Sequence, residues 1–130
     1  MLLLDTHIWI WWVTQTYERL NANVLNALKT ADSLAISAVS IYELSVLAKR
    51  QRITLTLPVD EWLTAATQEG GIDVLSITRA VAQRAGKLES VHGDPIDRMI
   101  MATALIRDIQ LVSIDNVFSR YIELKNHLLS

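Results

Sequence analysis

A chain of 130 residues with a net charge of −2 and 51% hydrophobic residues can bury one real core and is too apolar to be disordered. Its slightly acidic balance excludes the broadly basic surface of most nucleic-acid binders, so contact with such a partner needs local basic patches or bound cations. The absence of cysteine excludes disulfides, thiolate chemistry and Cys-ligated zinc or iron–sulfur sites.

The opening MLLLDTHIWIWW has an acid at position 5 and no basic n-region, which is not the pattern of a signal peptide. No uncharged apolar run approaches the roughly 18 residues of a membrane span. A soluble, cytoplasmic protein is expected. With four glycines, two prolines and no repeat or linker, residues 1–130 read as one domain. The apolar excess suggests that some surface is reserved for a partner or a second copy.

In chain order, Leu2-Leu3-Leu4 is a short apolar run ending in Asp5, as a buried strand would be. Thr6 is placed to cap a following helix, and Val24, Leu25 and Leu28 share one face of another. Leu34-Ala35-Ile36 reads as a second strand, and Ser37 or Ser40 offers an N-cap for a helix to about Arg50. Residues 53–57 alternate Thr with apolar residues, as a short extended piece stopped by Pro58. A helix from about Val59 ends at Gly70-Gly71. Ile72-Asp73-Val74-Leu75 predicts a third strand, 78–88 a helix, and Asp94-Pro95 opens a further helix to about Asp108. Leu111-Val112-Ser113-Ile114 predicts a fourth strand before Asp115, and 117–130 is ambiguous. Strands alternating with helices imply βαβ units and a parallel sheet covered on both faces. Ligands of such sheets bind beyond the carboxyl ends of strands, where Asp5 and Asp115 fall.

Two further acids sit on apolar helix stripes. Glu43 shares a face with Val39, Val46 and Leu47, and Asp97 with Ile100, Met101 and Ala104. Each acid alone has an ordinary reading. Asp94 suits an N-cap, Pro95 the first helical position and Asp97 the dipole-favoured third, with Arg98 four residues from Asp94. Asp5 and Asp115 could each cap a turn. Together, however, the four converge on one crevice, where mutual repulsion calls for a cation. Oxygen ligands without cysteine suit Mg²⁺ or Mn²⁺ better than zinc.

The blocks LLLDTHIWIW, SAVSIYELSVLAKR, HGDPIDRMIMATA and LVSID, taken together across the chain, resemble the PIN-domain nucleases, specifically the VapC-like toxins of toxin–antitoxin pairs. The resemblance implies a three-layer α/β/α domain with a central parallel sheet, an acidic pocket for Mg²⁺ or Mn²⁺, endoribonuclease activity, an antitoxin partner and a homodimer. By position it makes Asp5, Glu43, Asp97 and Asp115 the metal-binding and catalytic quartet, with Asp5 and Asp97 as the firmest ligands. Asp94 belongs to an HxDPxDR variant and either supports the pocket or only caps its helix. Thr6 and Ser113 match positions of small hydroxyls; Ser113, two residues before Asp115, lies on the same strand face. Capping and strand packing explain both equally well.

For RNA contact, Lys49, Arg50 and Arg52 form a basic run, which also fits charge placement at a helix C-terminus. Arg98 is a candidate for a phosphate or for Asp94. His7 and His92 have no partner at metal-ligand spacing and read as structural or surface residues. Trp9, Trp11 and Trp12 form an aromatic patch beside the first acid, suited to core packing or to a dimer or antitoxin surface. Two other functions compete. A phosphoacceptor receiver domain wants paired acids after the first strand and a lysine after the last, where this chain has Thr6-His7 and Asn116. An aspartyl-nucleophile phosphatase wants a second Asp where His7 stands. A PIN fold that only binds, without catalysis, is the remaining alternative, and acid-dependent RNA cleavage discriminates it.

Overall fold

Leucine triplets and β-branched runs too short for helices build the middle of the molecule. In the computed structural model, which describes residues 1–89 and 93–130, strands β1 (Leu2–Leu4), β2 (Leu34–Ser37), β3 (Ile72–Leu75), β4 (Gln110–Val112) and β5 (Leu128–Leu129) form one sheet. Their order is β3-β2-β1-β4-β5, every pair parallel. Successive side chains point to opposite faces. Leu4, Ile36 and Val112 therefore enter one core, while Leu3, Ala35 and Leu111 enter the other. All six are fully buried, which explains continuous apolar runs in place of alternation with polar residues.

Helices α1 (Thr6–Val13), α2 (Ala22–Thr30), α3 (Ala38–Lys49) and α4 (Val59–Thr64) contribute Ile8, Trp9, Val24, Leu28, Leu44 and Trp62 to the first core. On the other face lie α6 (Pro95–Arg107) and α7 (Asn116–Ser119), with Ile100, Met101, Ala104 and Phe118 in the second core. Helix α5 (Arg79–Lys87) packs on α6 through Val81, Ala85 and Ala102. The expected α/β/α layering is present. No helix among the described residues is long and apolar enough to cross a membrane.

Capping accounts for most helix starts. Ser37, not Ser40, caps α3 by accepting the Val39 N–H at 3.1 Å, and Thr78 caps α5 at Val81. Asp94 caps α6 by accepting the Ile96 N–H at 3.0 Å, with Pro95 at the first helical position. Thr6 does not cap α1: it is the first helical residue, and Asp5 before it is the cap.

Three other expectations change. Residues 53–57 form no strand and join neither edge of the sheet; Ile53 and Leu55 instead lean on the first core. Helix α4 loosens into a π-turn over Ala65–Glu69 before stopping at Gly70 and Gly71; Gly71, at φ +69°, adopts the left-handed backbone open to glycine. The ambiguous C-terminal stretch resolves into α7, a 3₁₀ turn at Ile122–Leu124, and β5. Strand β4 ends at Val112, so Ser113 and Ile114 run on past the ladder.

Candidate functional site

The chain leaves β1 for β2 and β3 on one side, then crosses back to β4 and β5 on the other. That reversal opens a crevice beyond the carboxyl ends of β1 and β4, the usual ligand position in open α/β sheets. Asp5 lies directly in it, its N–H donating to the Val112 carbonyl at 3.0 Å. Its two carboxylate oxygens are separately held: Oδ1 accepts the Thr6 N–H at 2.8 Å and Oδ2 the Ser113 hydroxyl at 2.9 Å. The Ser113 oxygen also accepts the Asp115 N–H at 3.1 Å, and Asp115 Oδ1 accepts the Val117 N–H at 3.1 Å. One serine thus ties the two strand-end acids to each other.

Asp5 is only 7% exposed. Burial raises its pKa from 3.8 to about 6, against the opposing hydrogen bonds from Ser113 and Thr6, and the charges of Glu43 and Asp115 push it further up. Asp5 therefore feels the charge of two of the other three sequence-predicted acids. Glu43, on α3, is half-buried. The fully buried stripe of α3 is Ser40 and Leu44, not the Val39–Glu43–Leu47 face expected. Val39 leans on the second core and Leu47 on the first, so Glu43 falls at the seam between them. Asp97, at the third position of α6, is half-buried, with Ile100, Met101 and Ala104 turned into the core as expected.

A pocket of about 200 Å³, lined by Asp5, His7, Ile8, Trp11, Ile114 and Asp115, opens on these acids. A larger cavity, about 440 Å³, lies under the 118–128 segment and touches none of them; volume is a poorer guide here than charge. Thr6 turns inward, its hydroxyl 2.8 Å from that of Ser40, both side chains fully buried. The pair pins the first turn of α1 to the first turn of α3, and so Asp5 to the helix carrying Glu43. Ser40 had been read only as a possible cap, since its partner lies 34 residues away.

The PIN domain model matches residues 2–124 of this chain. Over 114 residues, 87% of this chain and 85% of the relative, it is 40% identical to Ribonuclease VapC22 of Mycobacterium tuberculosis. The chain belongs to the PIN-domain family. Solved structures share the fold at lower identity. A VapBC2 complex of Rickettsia felis bound to a promoter DNA fragment aligns with TM-score 0.68 and 15% identity, over 99% of this chain and 98% of that one. A toxin–antitoxin complex from Klebsiella pneumoniae aligns with TM-score 0.64 and 17% identity, over 100% and 97%.

In this PIN domain the donor set at the crevice is all oxygen, the chemistry of hard divalent cations. Asp5, Glu43 and Asp115 have no ion pair among the described residues, so hydrogen bonds, and no basic side chain, are what offset the charge at Asp5. As the side chains stand, however, no three acids or histidines among the described residues are close enough to hold an ion. The residues suit a cation in kind and in charge, and their side chains must draw in to grip one.

The basic candidates are not brought to the acids. Lys49 and Arg50 are exposed at the far end of α3, six residues past Glu43, or about 9 Å along the helix. Arg98 is engaged elsewhere: its guanidinium donates to the carbonyls of Ala85, Leu88 and Glu89 at 2.9, 2.6 and 2.8 Å, clamping the end of α5 to α6. The aromatic patch divides. Trp9 is core, fully buried with its Nε1–H donating to the Ala66 carbonyl at 3.0 Å, whereas Trp11 is half-buried and lines the crevice, Trp12 is half-buried against Tyr17, and His7 is exposed. His92 lies outside the described residues.

Proposed function

We propose that this chain is a divalent-metal-dependent endoribonuclease and the toxin member of a toxin–antitoxin pair. The observation that carries the reading is Asp5 at the sheet's switch point, where burial lifts its pKa to about 6 and the nearby charges of Glu43 and Asp115 add to the rise. Family membership and the identity to a named ribonuclease support it. The likeness to toxin–antitoxin complexes supports a protein antitoxin as partner. A homodimer and a cytoplasmic site of action belong to the same reading.

Asp5 and Asp97 are the proposed ligands of Mg²⁺ or Mn²⁺, with Glu43 and Asp115 holding waters or a second ion. A bound divalent cation supplies a polarised phosphate and a water acidic enough to attack it. Ser113 and the Thr6 N–H fix the direction of both Asp5 oxygens, so the carboxylate meets its ligand already oriented. Glu43 or Asp115 takes the proton of the attacking water. Asp94, which caps α6, acts from the edge by fixing where Asp97 stands. Lys49 and Arg50, exposed on α3, are the basic residues offered to RNA phosphates; Arg98 would reach one only by giving up carbonyls it holds at the end of α5.

Cleavage of unstructured RNA with Mg²⁺ or Mn²⁺, comparing wild type with Asp5→Asn and Asp97→Asn, tests the reading. Chelator-sensitive cleavage lost in both variants is expected; full activity in either rejects the quartet. A second reading, a PIN fold that binds without cutting, draws on the spacing of the acids, none of which cluster in threes at ion-holding distance among the described residues. Absence of acid-dependent cleavage with any divalent ion selects it.

A further inference from the structure

The crevice has a second wall that the acid chemistry leaves unexplained. His7 and Trp11 are one helical turn apart on α1, so their rings meet, with centroids 5.8 Å apart at an interplanar angle of 50°. Both line the same small pocket as Asp5 and Asp115, over an apolar floor of Ile8 and Ile114. The Arg19 guanidinium sits over the Trp11 ring, 5.7 Å from its centroid. Arg19 is exposed and has no carboxylate partner among the described residues. The 3₁₀ turn carrying it, Tyr17–Arg19, is propped by the Tyr17 ring against Trp12 at 5.6 Å. Trp9 and Trp62 fill the interior beside it, edge to face at 5.4 Å, and Trp11 and Tyr17 pack on that core while staying half-exposed.

We propose that His7, Trp11 and Arg19 form a subsite for one unpaired nucleotide of single-stranded RNA, adjoining the bond that is cut. The base lies against the Trp11 and His7 rings, and Arg19 meets a neighbouring phosphate. This rests on the ribonuclease reading above and adds its substrate class. Aromatic rings with a cation on the rim hold a base together with its phosphate. Only an unstacked base can offer its face to such rings. A duplex presents phosphates, 2′-hydroxyls and base edges but no free base face, so nothing in it offsets the repulsion of its phosphates by Asp5 and Asp115. Stacking therefore supplies the attraction that the charge of this crevice withholds.

The test measures binding without metal and cleavage with it. A labelled unstructured oligoribonucleotide and a fully paired RNA hairpin are titrated in chelator by fluorescence anisotropy. Wild type is expected to prefer the unstructured strand. Trp11→Ala should raise its Kd about tenfold or more, and Trp11→Phe should recover most of the loss. His7→Ala, at an exposed position that does not threaten folding, should weaken binding in the same direction. Arg19→Ala should flatten the salt dependence of Kd by about one phosphate contact. With Mn²⁺ present, Trp11→Ala should raise KM and leave kcat within about twofold. Equal Kd for wild type, Trp11→Ala and His7→Ala overturns the subsite, as does a preference for the hairpin. Loss of affinity for the antitoxin with RNA binding unchanged also overturns it, assigning the patch to protein contact. Wild type that cuts no RNA sinks the ribonuclease reading alone, because the chelator arm still decides whether Trp11 holds a base.

Discussion

Two helices of this protein begin in the same way and end up with different tasks. Asp5 opens α1 and Asp94 opens α6, each accepting a backbone N–H of the first turn. Asp94 does so at a half-exposed helix start. Asp5 does so at the closed end of a parallel strand, with its second oxygen taken by Ser113 and two acids nearby. The cap motif is shared; what separates the two carboxylates is the sheet geometry behind Asp5. A local pattern read alone weighs the two equally.

Substitution should separate them sharply. Asp5→Asn is expected to lower metal-dependent RNA cleavage by at least about a hundredfold, more than the loss of a ligand's supporting contact usually costs. Asp94→Asn, which keeps a capping oxygen, should leave cleavage within about threefold and stability within a few tenths of a kcal/mol. Side-by-side kinetics and thermal melts check both; comparable losses would mean that Asp94 is also a ligand.

The next effect is on pH. The folded protein holds the Asp5 proton up to about pH 6, whereas the unfolded chain releases it near 3.8. Between those values the native state binds more protons, so metal-free stability falls as pH rises. The full span is on the order of 3 kcal/mol, of which about 1 kcal/mol is lost between pH 5 and pH 7. Urea denaturation in chelator should show this slope in wild type and not in Asp5→Asn. Divalent ions at pH 7 should restore the lost stability, since binding to the native state alone stabilises it.

Ser113→Ala isolates the contact that Asp94 lacks. It removes one hydrogen bond to Asp5 and one from Asp115 in a buried setting, costing about 1–2 kcal/mol. Because that bond holds the Asp5 pKa down, the acid limb of the pH–rate profile should move to higher pH, with activity down about tenfold. A smaller effect than that of Ser113→Ala is expected from Asp94→Ala: a lost cap, about 1 kcal/mol by denaturation, with cleavage lowered less than in Ser113→Ala.

Much of the fold was legible because its signals are local. Leu2-Leu3-Leu4 and Leu34-Ala35-Ile36 are apolar runs between turn residues, and Asp94-Pro95 is a helix start on chemistry alone. Strand β5 was not legible: Leu128–Leu129 is two residues long, and its place follows only from the open edge of β4. Residues 53–57 misled because alternation alone supplies no ladder partner: Ile53 and Leu55 are taken up by the first core and not by a sheet edge. At the site, strand-end position marked Asp5 and Asp115, while helical periodicity put Glu43 on a face that the structure places at the seam of two cores. The Thr6–Ser40 contact and the clamp by Arg98 depend on how separate helices approach, which no window of sequence contains.

Ser113 has a further consequence, in the order of assembly. Its hydroxyl reaches Asp5 across 108 residues of chain, and its own N–H is held by the Leu129 carbonyl of the last strand. Contacts of such sequence separation form late. On a ribosome, the segment bearing Asp5, Thr6 and Ser40 emerges first and can pack, but its leading acid stays unanchored until β4 and β5 have followed. The surroundings of Asp5 are therefore completed only when β4 and β5 have been made and have joined the sheet, and not step by step with the nascent chain.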